Sequence, residues 1–285
     1  MLRLAVTTDA ETFERMRDPL ASRGVDVRHL RAKGRTIRLT SSPTETFDVG
    51  FVYPTRPMEG GALDALHELP WVNDREAVLT SRNKAGVVAA LSRAGLPVPE
   101  TTMVSNPVDD DALLAAAAEF DGPLVVKPNS TTRGTGIVRV DDPDSLSGVV
   151  DYLRLVHDYN ATGDKSYLLQ EFLPAARDYR AMVVDGECVG GVERRLPTEA
   201  REAGRWKHNV HRGAEATGVE LPDRHRRLAE EVAAVLDVPY LGVDLLETEN
   251  RLVVGETNAR PTIDDAKYDA GFYDRLAALV KRQVE

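Results

Sequence analysis

Three side chains that carry oxygen donors lie close together near the C-terminus of this 285-residue sequence. Glu256 and Asn258 are two positions apart, so on a β-strand both side chains point to one face. A Glu-Asn-Arg turn at 249–251 would fold the preceding strand back and bring Asp244 beside them. Carboxylate and amide oxygens are ligands that suit Mg²⁺ carrying the phosphates of a nucleotide. The spacing therefore predicts a metal site on a hairpin.

The residues on both sides of these acids are mainly apolar. Leu241, Val243 and Leu245 surround Asp244, and Val253 and Val254 precede Glu256. A carboxylate on an apolar strand needs a partner such as a cation, because burial without one is costly. The alternative is a pair of acids on solvated strand faces, and the apolar neighbours argue against it.

A lysine on an apolar strand precedes a loop that contains glycine. Lys127 lies near the end of this strand and needs an anionic partner if it is buried. The loop at 129–136, with Arg133, Gly134 and Gly136, resembles a flap whose backbone N–H groups could close over phosphates. A P-loop is excluded, since no Gly-Lys-Ser/Thr follows and the next element is a strand. An ordinary turn is the alternative.

Composition excludes several classes of protein. The formal net charge of −10 argues against nonspecific binding of nucleic acid. No apolar run is long enough to cross a bilayer, and the N-terminus lacks the pattern of a signal peptide, which predicts a cytoplasmic protein. The single cysteine, Cys188, excludes an internal disulfide and a cysteine-based metal cluster. The acidic, lysine-poor composition fits either a high-salt cytoplasm or a GC-rich genome.

The order of elements predicts an α/β chain, with a small parallel sheet in its N-terminal part. Ser81 is predicted to cap a helix that runs to Arg93. The predicted strands lie at 2–8, 25–30, 47–53, 71–73, 123–128, 137–140 and 167–173, with a hairpin at 179–184 and 187–195 before the carboxylate hairpin. The predicted helices lie at 10–23, 61–69, 81–93, 109–120, 143–157, 223–236 and 271–283.

Nine blocks of this sequence occur in the order found in the ATP-grasp superfamily, and the chain resembles its RimK-like carboxylate–amine ligases in particular. The likeness covers nearly the whole chain. The blocks are Ser81-Arg-Asn-Lys84, Leu124-Val-Val-Lys127, the glycine flap 129–136, Leu169-Gln-Glu-Phe-Leu173, Asp178-Tyr-Arg180, Glu193-Arg-Arg195, Lys207-His-Asn-Val-His-Arg-Gly213, Gly242-Val-Asp244 and Gly255-Glu-Thr-Asn258.

The resemblance implies a fold of three parts. A pre-ATP-grasp α/β domain with a parallel sheet would occupy residues 1–80. Two α+β subdomains that grip ATP would follow: a lid subdomain at 81–173, which includes the flap, and a catalytic subdomain at 174–285.

The resemblance also implies roles for individual residues, together with ATP and Mg²⁺ or Mn²⁺, as two ions. The nucleotide would be held by Lys84, Lys127, Arg133, Gly134, Gly136, Glu171, Phe172, Leu173, Asp178, Lys207, His208 and Asn209. Lys84 and Lys127 would take the α and β phosphates, and the strand 170–173 would line the adenine. Arg180, Lys207, Arg212 and Asn258 would act in catalysis, and Asp244, Glu256 and Asn258 would hold metal. Arg194, Arg195 and Arg260 would contact the substrate.

Several of these assignments have alternatives. Arg194 and Arg195 could be a solvated strand end, and the strand 170–173 could be an ordinary core strand. His208 and His211 are spaced as in some zinc sites, but no third nitrogen or sulfur ligand is near them in sequence; a solvated basic loop is the other alternative. The final block continues as Asn258-Ala-Arg260, where the family typically has a Ser-Pro-Gly turn. Arg260 would bind a substrate carboxylate or pair with Asp264 or Asp265, so glutamate as the substrate stays open.

The implied reaction transfers the γ-phosphoryl group of ATP to a carboxylate, and an amine then attacks the acyl phosphate to form an amide. The carboxylate would belong to a small molecule, a peptide or a carrier protein, and the amine to an amino acid such as glutamate. No nucleic-acid or membrane partner is implied, and a homo-oligomer is compatible with the family. The alternatives are an ATP-grasp small-molecule kinase and a non-catalytic ATP-binding regulator.

Overall fold

A computed structural model of the protein describes residues 1–8, 10–131, 134–159, 164–264 and 266–285. The described strands form three sheets. Arg133 of the flap and Asp265 lie outside the described residues.

The first sheet is parallel, as predicted, with strand order β2-β1-β3-β4. Its elements are β1 Leu2–Val6, α1 Ala10–Ala21, β2 Val25–His29, β3 Val49–Phe51, α2 Pro57–His67 and β4 Trp71–Val72. Apolar side chains bury the central strands, which is typical of a parallel sheet connected by helices.

Two helices, α3 Arg75–Arg82 and α4 Lys84–Arg93, occupy the region where one helix was predicted to begin at Ser81. That prediction is wrong: Asn83 caps α4, since its side chain accepts a hydrogen bond from the Gly86 N–H. Ser81 lies inside α3, where its buried hydroxyl accepts from the Ala259 N–H at 3.0 Å. This serine therefore fixes α3 against the C-terminal hairpin.

The second sheet is antiparallel, in the order β5-β8-β6-β7. Its strands are β5 Thr101–Ser105, β6 Leu124–Pro128, β7 Val138–Val140 and β8 Ser166–Glu171, and its helices are α5 Asp110–Ala117 and α6 Pro143–Tyr159. Buried side chains on these elements form a core of their own. Strand β5 was not predicted, because the sequence Thr-Thr-Met-Val-Ser at 101–105 shows no clear apolar alternation. In the structure only one of its five residues is fully buried.

The third sheet is also antiparallel, with the order β11-β10-β9-β12-β13, and β14 pairs with β10. Its strands are β9 Arg177–Val184, β10 Glu187–Arg195, β11 Glu215–Gly218, β12 Tyr240–Glu247, β13 Leu252–Asn258 and β14 Lys267–Tyr268. Its helices are α7 Thr198–Glu202, α8 Asp223–Leu236 and α9 Phe272–Arg282, with a 3₁₀ turn at Val210–Arg212. Both predicted hairpins, β9–β10 and β12–β13, are confirmed.

One hydrophobic core joins the first and third sheets. The buried Asn73 side chain connects them through polar contacts: it donates to the Ala259 carbonyl at 2.6 Å and accepts from the Tyr240 N–H at 3.1 Å. The predicted boundaries at residues 80 and 173 stay a prediction. Among the described residues, no helix has the length and apolar character needed to cross a membrane.

Candidate active site

A cavity of about 610 Å³ opens between the second and third sheets, and we call it the central cavity. Strands β6 and β8 form one wall, and strands β9, β10, β12 and β13 form the other. Most of the predicted site residues line it: Lys127, Glu171, Phe172, Leu173, Asp178, Arg194, Arg195, Lys207, His208, Asn209, Asp244 and Glu256. Lys84 lies in a small adjoining pocket that shares Lys127 and Glu256 with the central cavity.

The three predicted metal ligands lie on one hairpin. Asp244 on β12 is directly opposite Glu256 on β13, and Asn258 is opposite Gly242. A β-bulge follows Asp244. Because Glu256 and Asn258 are two residues apart on one strand, their side chains share a face, as predicted. The Asn258 side-chain oxygen accepts a hydrogen bond from the Arg260 N–H at 2.9 Å.

The buried carboxylate of Asp244 has two guanidinium partners. Arg180 contacts both of its oxygens, at 2.7 and 2.9 Å, and Arg194 lies 3.0 Å from Oδ2. Burial alone would raise the pKa of Asp244, but these two arginines outweigh it and hold the pKa at about 2. The cation that the sequence required beside this acid is thus supplied by the chain itself.

The two predicted phosphate-binding lysines lie beside Glu256. Lys84 Nζ is 3.3 Å from Glu256 Oε1 and donates to the carbonyls of Thr131 and, at 3.4 Å, Asn129. Lys127 donates to the neutral side-chain oxygen of Gln170. Burial lowers the pKa of Lys127, the charge of Glu256 opposes this, and Lys84 lowers it further. An anion bound in the cavity would offset the cost of this poorly compensated lysine.

Asp178 shares the arginine network of Asp244. Arg194 Nε donates to Asp178 Oδ1 at 2.9 Å, and His208 Nδ1 lies 3.7 Å from Oδ2. Burial raises the pKa of Asp178 to about 6, against the opposing effect of Arg194. Burial lowers the pKa of His208, and Arg194 lowers it further.

The raised pKa of Asp178 predicts a pH-dependent term in stability. A carboxyl group whose pKa is higher in the folded protein contributes stability below pH of about 4 and loses it as the pH rises through about 6. We expect Asp178→Asn to remove this decline from the free energy of unfolding, measured by urea titration between pH 4 and 7. Asp144→Asn, on the exposed surface, is the control and should keep the decline. Parallel pH curves for wild type and Asp178→Asn would contradict the prediction.

The strand predicted to line adenine is fixed by side-chain and backbone contacts with other parts of the chain. The side chain of Glu171 pairs with Arg251 at 2.7 and 2.9 Å. The backbone N–H groups of Glu171 and Phe172 donate to the carbonyls of Glu100 and Pro123, at 3.0 and 3.1 Å. These two N–H groups are therefore already engaged within the chain. The apolar side chains of Phe172 and Leu173 face the cavity.

The segment at 205–209 lies against the flap. Lys207 donates to the Ile137 carbonyl, and a Cβ atom on Gly134 would come within 2.6 Å of Asn209 Oδ1. Gly134 has a φ of 64°, a conformation that favours glycine. Gly136, at 74°, would place a Cβ 2.8 Å from Pro128. Both flap glycines are therefore required by local geometry.

Two predicted arginines lie away from the central cavity. Arg212 is exposed on the 3₁₀ turn. Arg260 reaches the first sheet, where it donates to Thr7 Oγ1 at 3.2 Å and to the carbonyls of Val52, at 3.1 Å, and Tyr53. The guanidinium of Arg260 thus lies at the carboxyl ends of the parallel strands β1 and β3, which is where parallel sheets commonly bind ligands.

Several residues on the cavity wall were given no role of their own in the sequence analysis. Gln170 contacts Lys127, and Trp206 packs edge-on against Phe172 with ring centroids 5.5 Å apart. Glu193 accepts from Arg177 at 3.0 Å and Arg195 at 2.6 Å. Gln170 could have been noticed in the sequence, because it is a polar residue on an otherwise apolar strand. The pairing of Glu193 with Arg177 could not, because Arg177 lies on a different strand of the folded sheet.

A metal site built from the described residues would need the amide oxygen of Asn258 in addition to carboxylates. No group of three or more His, Cys, Asp or Glu side chains among them is arranged to hold a metal ion. Asp244 and Glu256 with the amide of Asn258 supply three oxygen donors on one hairpin, which fits Mg²⁺ together with phosphate oxygens. His208 lies beside Asp178, in the arrangement of an Asp–His pair.

Fold and site together define an ATP-grasp protein. Residues 81–274 match the RimK-like ATP-grasp domain, and the chain belongs to this family. A probable alpha-L-glutamate ligase of Klebsiella pneumoniae is 30% identical over 74% of this chain and 67% of its own length. A ribosomal protein bS6–L-glutamate ligase of Escherichia fergusonii is 30% identical over 70% of this chain and 63% of its own.

Solved structures show the same fold over the whole chain. The RimK domain ATP-grasp protein of Sphaerobacter thermophilus has a TM-score of 0.67 at 20% identity and covers 99% of both chains. The D-alanine–D-alanine ligase of Bacillus anthracis complexed with ATP has a TM-score of 0.68 at 16% identity, covering 100% of this chain and 97% of its own. The matches to the two glutamate ligases, in contrast, span only 67% and 63% of those proteins.

Proposed function

We propose that the protein is an ATP-dependent carboxylate–amine ligase that forms an amide bond through an acyl phosphate. The observation that carries this proposal is the arrangement of Asp244 and Glu256 on one hairpin, with Lys84 and Lys127 beside Glu256 at the edge of the central cavity. Acids for a metal ion and lysines for phosphates thus meet at one place.

The nucleotide would lie in the central cavity. Lys84 and Lys127 are compact cations that suit phosphate oxygens. Gly134 and Gly136 would bring the flap over the phosphates, and Arg133 would complete it. Residues 171–173 would line the adenine through their apolar side chains and carbonyl groups. Asp178 would approach the ribose or its neighbours from the opposite wall, and Lys207, His208 and Asn209 would approach the triphosphate.

Asp244, Glu256 and Asn258 would hold Mg²⁺ or Mn²⁺, as two ions. The bound metal would neutralise charge on the phosphoryl group during transfer. For this the Arg180 and Arg194 side chains, which now contact Asp244, would turn toward oxygens of the bound phosphate and substrate.

The chain's own residues would position the reactants. Arg180 would face the acyl phosphate, and Arg212 would steady the γ-phosphate once the 3₁₀ turn moves inward. Arg194 and Arg195 would contact the carboxylate substrate, and Arg260 would hold a substrate group at the edge of the first sheet. No side-chain nucleophile is needed, because the carboxylate itself attacks the phosphorus atom. Closure of the flap would exclude water from the acyl phosphate.

The names of the relatives suggest the substrates. Both similar ligases are named for L-glutamate, and one for ribosomal protein bS6. We propose L-glutamate as the amine and the carboxylate of a peptide, a carrier protein or a small molecule as its acceptor. ATP and amino acids are supplied in the cytoplasm, which is where we place the reaction.

A phosphate-release screen tests the proposal. Purified protein with ATP and Mg²⁺ would be offered L-glutamate and other amino acids, each crossed with a panel of carboxylic acids and peptides. We expect phosphate release that requires both a carboxylate and an amine. ADP formation with a stable phosphorylated product and no amine requirement would favour the kinase, and ATP binding without any turnover would favour the regulator.

A further inference from the structure

The acids that line the central cavity differ in how fully they are paired. Asp244 contacts two arginines, Glu193 contacts Arg177 and Arg195, and Glu171 contacts Arg251. Glu256 lies beside Lys84.

Asp178 differs from these acids because one of its oxygens faces a histidine instead of a permanently charged group. Oδ1 accepts from Arg194, and Oδ2 faces the Nδ1 atom of His208 at 3.7 Å. Of the described residues on the cavity wall, His208 is the single histidine. Its side chain is 21% exposed, so it can reach both the acid and a molecule in the cavity.

Amide formation from an acyl phosphate requires a group that accepts a proton. An amino acid at neutral pH carries an ammonium group, which has no lone pair and cannot attack carbon. A paired carboxylate is a poor acceptor, since protonation would break its ion pair. A neutral imidazole has the basicity suited to this step.

We propose that His208, oriented by Asp178, removes the proton from the ammonium group of the attacking amine. This inference rests on the proposed ligase activity. The Nδ1 proton would point to Asp178, which leaves Nε2 on the opposite edge of the ring to accept the proton. The distance of 3.7 Å exceeds a hydrogen bond, and such contacts often shorten when substrate binds.

The charges around the pair favour a neutral imidazole. Arg194 on β10 and Arg201 on α7 lower the pKa of His208, in addition to its burial. Arg180 on β9 lowers the pKa of Asp178, and Asp244 on β12 raises it. With a pKa of about 6, Asp178 is ionised at neutral pH and can accept from Nδ1.

The proposed step balances without a further reactant. His208 takes one proton from the ammonium, and the freed nitrogen lone pair forms a bond to the acyl carbon. The bond between that carbon and the phosphate oxygen then breaks. The second proton leaves the nitrogen with the departing phosphate, and His208 returns its proton to solvent.

Two nucleophiles of different basicity test the role of His208. Hydroxylamine is largely uncharged at neutral pH and needs no base, whereas L-glutamate is largely an ammonium ion. Wild type and His208→Gln would be compared at pH 7.5, with ATP, Mg²⁺, and the carboxylate identified by phosphate release. We expect amide formation with L-glutamate to fall about 100-fold in the variant. The ratio of hydroxamate to amide should rise at least about 30-fold and shrink again at higher pH.

The controls separate a chemical role from a structural one. His67→Gln changes a partly buried histidine on α2 in the first domain and should keep the wild-type ratio. Asp178→Asn should shift the ratio in the same direction as His208→Gln, by a smaller factor. If His208→Gln fails to fold, His208→Asn takes its place in the experiment, because asparagine keeps a hydrogen-bond donor near the position of Nδ1.

The outcomes are distinct. An equal loss with both nucleophiles, or an unchanged amide rate in a folded variant, would overturn the role of His208 while leaving the ligase activity in place. A wild-type protein that forms neither hydroxamate nor amide would overturn the ligase activity and this inference with it.

Discussion

Replacing Glu256 with glutamine should lower ATP turnover about a thousandfold while the protein stays folded. Glu256 lies opposite Asp244 on the hairpin and 3.3 Å from Lys84. Glutamine keeps the shape of the side chain but removes the charge that would hold Mg²⁺ and balance the lysine. Steady-state phosphate release, together with a thermal unfolding curve, measures the effect.

Glu249→Gln is the matched control, because it removes an exposed acid at the tip of the same hairpin. Its turnover should stay within about twofold of wild type. Turnover of Glu256→Gln near the wild-type rate at saturating Mg²⁺ would remove Glu256 from the metal site.

Replacing Asp244 with alanine should lower the free energy of unfolding by about 3 to 5 kcal/mol. The variant leaves the guanidinium groups of Arg180 and Arg194 facing each other without their shared carboxylate. Because the pKa of Asp244 is lowered in the folded protein, its contribution is present above pH of about 4 and is lost as the pH falls toward 2. Urea denaturation at pH 7 measures the effect.

An exposed ion pair provides the control for Asp244. Asp269 contacts Arg226 at 2.7 Å with its side chain half exposed, so Asp269→Ala should cost less than about 1 kcal/mol. A loss of similar size for the two variants would show that the buried arginine network contributes no more than a surface pair.

The hairpin and its acids could be predicted because the information is local. A two-residue spacing places Glu256 and Asn258 on one face, and a turn at 249–251 brings Asp244 opposite Glu256. The parallel first sheet could also be predicted, since its apolar strands alternate with helices.

The partners of the buried charges could not be predicted, because they come from strands that meet only in the folded sheet. Arg180 and Arg194 reach Asp244 from β9 and β10, about 50 to 64 positions away. The sequence showed that Asp244 needed a cation and suggested a metal ion. The fold places two arginines beside Asp244.

Arg260 shows the same limit over a longer distance. Asp265, one of its predicted partners, lies outside the described residues, and the contacts of the Arg260 guanidinium with Thr7 and the carbonyls of Val52 and Tyr53 were not predicted. These contacts depend on how the first and third sheets pack. At Ser81 the error was local, because serine and asparagine both favour N-cap positions. In the structure Asn83 caps the helix, and the Ser81 hydroxyl accepts a hydrogen bond from Ala259 instead.

The central claim is that a carboxylate is activated as an acyl phosphate before an amine attacks it. A carboxylate labelled with ¹⁸O on both oxygens, combined with ATP and L-glutamate, tests this by mass spectrometry of the released phosphate. We expect one ¹⁸O atom in each phosphate formed together with amide, because the bridging oxygen leaves with the phosphorus. Amide formed with unlabelled phosphate, or a stable phosphorylated product that no amine consumes, would contradict the claim.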